Sequence, residues 1–129
     1  MENLDGKVAV ITGGASGLGK SFAERFGAAG MKLALADVEV PVLEETVANL
    51  ESRGIEVLGI PCDVSNPEDV NNFAETVISQ FGAAHVLWFG VHVIGIHKID
   101  GSGFVMSKAT DAGKVFNAFA CVEKSYCGI

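Results

Sequence analysis

Three glycines and one aspartate hold most of the chemistry legible in this sequence. Gly13, Gly17 and Gly19 follow directly on the apolar run Val8-Ala9-Val10-Ile11-Thr12, in a Gly-x3-Gly-x-Gly spacing. Such a turn, from a buried strand into a helix, suits a pyrophosphate. A helix start leaves unpaired N–H groups and a partial positive charge, and both favour a phosphate. Side chains would keep the phosphate away, so the turn is rich in glycine. On this reading Gly13 allows the turn, Gly17 lets backbone reach the phosphates, and Gly19 lets the helix pack close to the sheet. Ser16 offers a hydroxyl to a phosphate or a cap to the helix. Glycine-rich strand-to-helix turns also occur without ligands, so the loop alone leaves both outcomes open.

Asp37 lies 18 residues after Gly19, at the tip of a second apolar run. The ribose of an adenosine belongs at that place in a dinucleotide-binding unit. A carboxylate there accepts both ribose hydroxyls and repels a 2′-phosphate. No Arg or Lys stands beside it in Ala36-Asp37-Val38-Glu39. NAD is therefore expected over NADP. The alternative for Asp37 is a solvated turn residue.

Other reactive residue types fit known chemistry less well. His85, His92 and His97 are spaced by seven and five, which puts them on no common helical face. Metal binding is therefore not expected. Cys62, Cys121 and Cys127 form no metal-type pair, and an odd number of thiols suits a reducing cytoplasm. His92 as a general base lacks a legible carboxylate partner. Nothing near Cys121 or Cys127 reads as lowering a thiol pKa.

The elements that position the glycines and Asp37 alternate regularly. Lys7–Thr12 reads as a strand buried on both faces. Leu18, Phe22, Phe26 and Ala29 recur at helical spacing, and Gly30 ends that helix. Met31–Ala36 is a second strand. Pro41 opens a second helix with Leu43, Val47 and Leu50 as its buried stripe, ended by Gly54. Ile55–Ile60 is a third strand. Ser65 or Asn66 caps a third helix, with Pro67, Glu68 and Asp69 in its first turn. Val70, Phe73, Ala74, Val77, Ile78 and Phe81 form its stripe, and Gly82 ends it. His85–Phe89 is a fourth strand. The order β-α-β-α-β-α-β predicts an α/β fold, a doubly wound parallel sheet of Rossmann type. Beyond it, Val91–Ile99 has weak strand character and Ser107–Glu123 weak helical character.

The bulk properties agree. A chain of 129 residues, 49% hydrophobic and 19% charged, makes one globular domain. Its net charge of −7 argues against nucleic acid. The charge is uneven, −8 over residues 1–82 and +1 over 83–129. The longest apolar stretch, Val86–Ile96, is too short to span a bilayer. The acidic N-terminus has no signal-peptide core. A cytoplasmic protein is expected.

Thr12 with the glycine turn, Asp37, and Cys62-Asp63-Val64 after the third strand together resemble the short-chain dehydrogenase/reductase family over about residues 4–88. The resemblance implies that Asp63 accepts from the adenine amino group while the Val64 N–H pairs with the ring. Without it, Asp63 reads equally well as a turn residue. The implied binding set is Gly13, Ser16, Gly17, Leu18, Gly19, Asp37, Asp63 and Val64. The implied activity is hydride transfer between NAD and an alcohol or carbonyl substrate.

The family's other motifs are missing. Where it carries Asn-Asn-Ala-Gly, this chain has Trp88-Phe89-Gly90-Val91. The family's catalytic Tyr is followed four residues later by a Lys that lowers its pKa, with a Ser upstream. Tyr126 is the only tyrosine here; Lys124 precedes it and Gly113 stands at the Ser position. No catalytic residue is therefore assigned. The expectation is an NAD-binding half over 1–90 and an atypical tail over 91–129 within one domain. An altered reading frame, splicing or fragmentation would account for the tail. The fourth strand is expected to be an open apolar edge prone to self-association. The alternative to an oxidoreductase is a non-catalytic nucleotide-binding or interaction module.

Overall fold

Residues 3–89 and 97–98 are described by a computed structural model, with side chains through Trp88. Expectations on residues 90–96 and 99–129 lie outside the described residues. Four parallel strands form the sheet: β1 (Val8–Thr12), β2 (Lys32–Asp37), β3 (Val57–Pro61) and β4 (Val86–Phe89). Helices α1 (Gly17–Ala28), α2 (Val40–Ser52) and α3 (Pro67–Phe81) make the crossovers. The spatial order is β3-β2-β1-β4, with a short β5 (His97–Lys98) beyond β4. β1 is central, pairing Val8 with Lys32 on one side and Ala9 with Val86 on the other.

The strands read as continuous apolar runs because both faces are covered. Val8 and Val10 of β1, Ala34 and Ala36 of β2 and Leu87 of β4 face α3 through Val70, Phe73, Ala74 and Val77. Ala9, Ile11, Leu33, Leu35, Val86 and Trp88 face the opposite layer, with Ala23 of α1 and Leu43 and Leu50 of α2. That alternation is the period of a pleated strand, and it makes the expected doubly wound α/β fold.

The three helices start differently. Asn66 caps α3, its side chain accepting from the Glu68 and Asp69 N–H groups at 3.0 and 3.4 Å. Glu68 and Asp69 add acidic charge to that first turn, and Gly82 closes the helix at φ 80°. This choice of Asn66 resolves the Ser65/Asn66 alternative. Neither α1 nor α2 receives a side-chain cap, and α1 has no acidic residue in its first turn.

Two expectations are corrected. Leu18 is 60% exposed and Ala29 is the C-cap of α1, so neither belongs to a buried stripe. The buried residues of α1 are Gly19, Ala23 and Gly27, one every four positions. Small residues let the helix lie close to its neighbours: a Cβ on Gly27 would crowd Ile55 at 2.6 Å. The edge of β4 is also not fully open. β5 runs antiparallel along it, pairing Val86 with Lys98 and Leu87 with His97.

His85 ties the two central strands together just before β4. Its Nδ1 accepts from the Val8 N–H at 3.0 Å, and its own N–H donates to the Val8 carbonyl at 2.9 Å. His85→Ala is expected to cost about 1–2 kcal/mol, because it leaves a buried strand amide without that acceptor. His85→Asp, which restores an acceptor, should recover part of the loss. Urea midpoints of the two variants check both.

Candidate functional site

The glycine turn, the end of β2 and the loop after β3 meet at the C-terminal end of the sheet, the place where open α/β sheets take ligands. Gly13 and Gly17 have φ of 67° and 57°, values that a side chain opposes. Gly19 is buried, and a Cβ there would overlap the Gly13 carbonyl. Gly13 and Gly17 are thus turning positions, and Gly19 is where α1 closes on the Gly13 backbone.

The turn divides its amides into two groups. Gly13 and Gly14 both donate to the Ala36 carbonyl, at 2.8 and 3.3 Å. Ala15 donates to Asp37 Oδ2 at 3.2 Å. These three amides are committed to β2. Beyond them, Lys20 donates to the Ser16 carbonyl as α1 begins. Ser16 stands at the N-cap position with extended backbone, as one sequence reading allowed, but its hydroxyl makes no cap bond. The amides from Ser16 to Gly19 thus surround an uncapped positive helix end with no acidic side chain in its first turn. An anion fits that donor set.

Asp37 is the last residue of β2 and half-buried. Its Oδ1 accepts from the Glu39 N–H at 3.1 Å, while Oδ2 holds Ala15. The carboxylate therefore shapes the glycine turn. Beside it, Val38 is 63% exposed.

The loop after β3 is fixed by its own polar groups. Asp63 Oδ1 accepts from the Ser65 hydroxyl at 2.7 Å and from the Ser65 N–H at 2.9 Å. These bonds hold the Asp63 carboxyl below the ordinary carboxylate value. The Asp63 N–H donates to Asp69 Oδ2 at 3.0 Å, and Val64 is half-buried against the α3 core. The turn reading of Asp63 is thus satisfied, and its carboxylate remains on the exposed side.

Cys62, next to Asp63, is buried. Burial, then the charges of Asp69 and Asp63, push its thiol from 9.0 up to about 11. Only thiolate attacks electrophiles. Folded protein at neutral pH is therefore expected to leave Cys62 unalkylated by iodoacetamide, and denatured protein to alkylate it fully. Peptide mass spectrometry reads the difference.

Sequence reasoning did not find Thr46. It is buried on α2, and its Oγ1 donates to the Ala15 carbonyl at 3.0 Å. The signal was available: Thr46 stands three residues after Leu43 and four before Leu50, inside an otherwise apolar stripe. Trp88 was noted only as a departure from a motif. Its ring lies 3.8 Å from that of Phe22, tilted by 41°, and its buried Nε1 has no hydrogen-bond partner among the described residues. Tyr126, Lys124, Gly113, Cys121, Cys127 and His92 lie outside the described residues.

Comparison with known proteins gives a consistent result. The short chain dehydrogenase family pattern matches residues 7–122, past the point where the sequence motifs fade. A 1-deoxy-11-beta-hydroxypentalenate dehydrogenase of Streptomyces exfoliatus is 36% identical over 93 residues, covering 72% of this chain and 34% of that protein. A C alpha-dehydrogenase of a Sphingobium strain is 42% identical over 87 residues, 67% of this chain and 28% of that one. Among solved structures, a short chain dehydrogenase/reductase from Burkholderia phymatum in complex with NAD superposes with a TM-score of 0.67. It is 48% identical and covers 68% of this chain and 31% of its own. The chain thus spans about one third of the length of these relatives. Among the described residues, no helix is long and apolar enough to cross a membrane.

Proposed function

The chain belongs to the short-chain dehydrogenase family, and from that premise we propose that it binds NAD in the service of hydride transfer to or from an alcohol or carbonyl substrate. One observation carries the binding reading. The turn spends the amides of Gly13, Gly14 and Ala15 on β2 and presents the following ones at an uncapped helix end. NAD, when bound, supplies the hydride acceptor. The protein's part is to hold the pyrophosphate at Ser16–Gly19, the ribose at Asp37 and the adenine beside Asp63 and Val64. Leu18, exposed on the first turn of α1, adds an apolar contact to the nucleotide.

Preference for NAD over NADP rests on the Asp37 carboxylate and on the absence of a cation in Ala36-Asp37-Val38-Glu39. The reading includes a cytoplasmic setting, supported by the free, buried Cys62. A second reading, a nucleotide-binding or interaction module without turnover, draws support from the sequence. Tyr126, the only tyrosine, has its nearest lysine two residues before it rather than four after.

An amide NMR spectrum of the full chain titrated with NADH tests the binding. Saturable shifts at Ser16–Gly19 and around Asp37 are expected. A dispersed spectrum that NADH leaves unchanged would overturn it. Steady NAD reduction with an alcohol then separates the oxidoreductase from the module.

A further inference from the structure

The Ala15 residue is held from two sides. Its N–H donates to Asp37 Oδ2, and its carbonyl accepts from the Thr46 hydroxyl. Thr46 is 3% exposed and reaches the turn from α2, 31 residues away in sequence. The rest of the α2 stripe, Leu43 and Leu50, is apolar, so this hydroxyl is the polar group the stripe gives to the turn.

The Ala15 carbonyl and the Ser16 N–H belong to one peptide unit. That unit is planar and trans, so the two groups point in opposite directions. A hydroxyl holding the carbonyl inward therefore turns the Ser16 N–H outward. Ser16 is exposed, and its N–H is the first amide of the turn that β2 does not take. A hydrogen bond to the carbonyl also polarises the peptide and strengthens its N–H as a donor.

We propose that Thr46 is a positioning residue for the nucleotide: through the Ala15 carbonyl it aims the Ser16 amide at a phosphate oxygen. This rests on the proposed NAD reading. Thr46 touches no ligand itself, and its effect passes through one peptide plane. Removing it frees that peptide to rotate and leaves a buried carbonyl without its donor.

The experiment compares NADH affinity of the full chain for wild type, Thr46→Val and Thr46→Ser by calorimetry, with the amide shift of Ser16 followed by NMR. Thr46→Val is expected to bind roughly fivefold to tenfold more weakly, the worth of one oriented hydrogen bond. Thr46→Ser keeps the hydroxyl and should bind within about twofold of wild type, as one retained bond requires. The Ser16 amide resonance should move in Val and stay in Ser. A purely structural role would lower the urea midpoint of Val but leave both its affinity and the Ser16 resonance in place. Equal affinity of wild type and Thr46→Val, or equal weakness of Val and Ser, overturns the proposal while leaving the NAD reading intact. If wild type itself does not bind NADH, the NAD reading fails and this inference with it. Should Thr46→Val not fold, Thr46→Cys, a weaker donor of similar size, replaces it with the same expected outcomes.

Discussion

Replacing Gly19 by alanine is expected to lower both the stability of the protein and its affinity for NADH. The new methyl group would meet the Gly13 carbonyl and sit 3.3 Å from the Gly14 Cα, and both are backbone. No side chain can rotate away to make room. Either α1 moves off the turn or the turn opens. Overpacking of this kind costs about 1–3 kcal/mol, and a shift of α1 here also displaces the proposed phosphate donors, Ser16 to Gly19. Gly17→Ala is the informative control. Its Cβ meets nothing within 4 Å, but the backbone stands at φ 57°. Its cost is the left-handed conformation alone, about 1 kcal/mol. Urea unfolding of the two variants should rank Gly19→Ala below Gly17→Ala. The reverse order would mean that α1 and the turn do not meet at Gly19.

Asp37→Ala should cost the protein most of its nucleotide affinity and part of its stability. Two effects combine. The carboxylate is the proposed acceptor for the ribose, and it also holds the Ala15 and Glu39 amides. Hydrogen bonds to a charged group are each worth about 1.5–3 kcal/mol, so a loss of roughly 10- to 100-fold in NADH affinity is expected, since 1.4 kcal/mol is tenfold. The same change removes the charge that opposes a 2′-phosphate, so discrimination against NADPH should narrow. Calorimetric titration of wild type and variant with both nucleotides measures both effects. Unchanged NADH affinity would place the ribose elsewhere.

These two predictions depend on features of unequal legibility. The glycine turn and Asp37 could be read directly, because an apolar run buried on both faces leaves no choice about where a strand ends. The third helix was equally plain: Asn66, Pro67 and Gly82 mark its ends by local chemistry. The packing of α1 was misread for a physical reason. Apolar residues at helical spacing selected Leu18, Phe22, Phe26 and Ala29; Phe22 and Phe26 do pack against the core, but Leu18 and Ala29 do not, and the fully buried positions are Gly19, Ala23 and Gly27. Close approach selects for smallness, which a hydrophobicity count passes over. The Thr46 and His85 contacts join residues 31 and 77 apart in sequence, and no local pattern announces them. β5 lies within Val91–Ile99, where weak strand character was legible, but a two-residue strand has no periodicity to fix its bounds.

The central place of β1 has a consequence for how the protein comes into being. β1 precedes β4 in the chain, and β2 reaches one of its edges after a short crossover. Its other edge waits for β4, and the His85 bond to Val8 closes a loop of 77 residues. Closing long loops costs chain entropy before any contact repays it. During synthesis, therefore, Val8, Val10, Ala34 and Ala36 are delivered before the α3 residues that cover them. A growing chain that has delivered neither α3 nor β4 carries both one open edge on its central strand and a bare apolar sheet face. That is the interval in which a chaperone holding extended apolar segments would matter most to this protein.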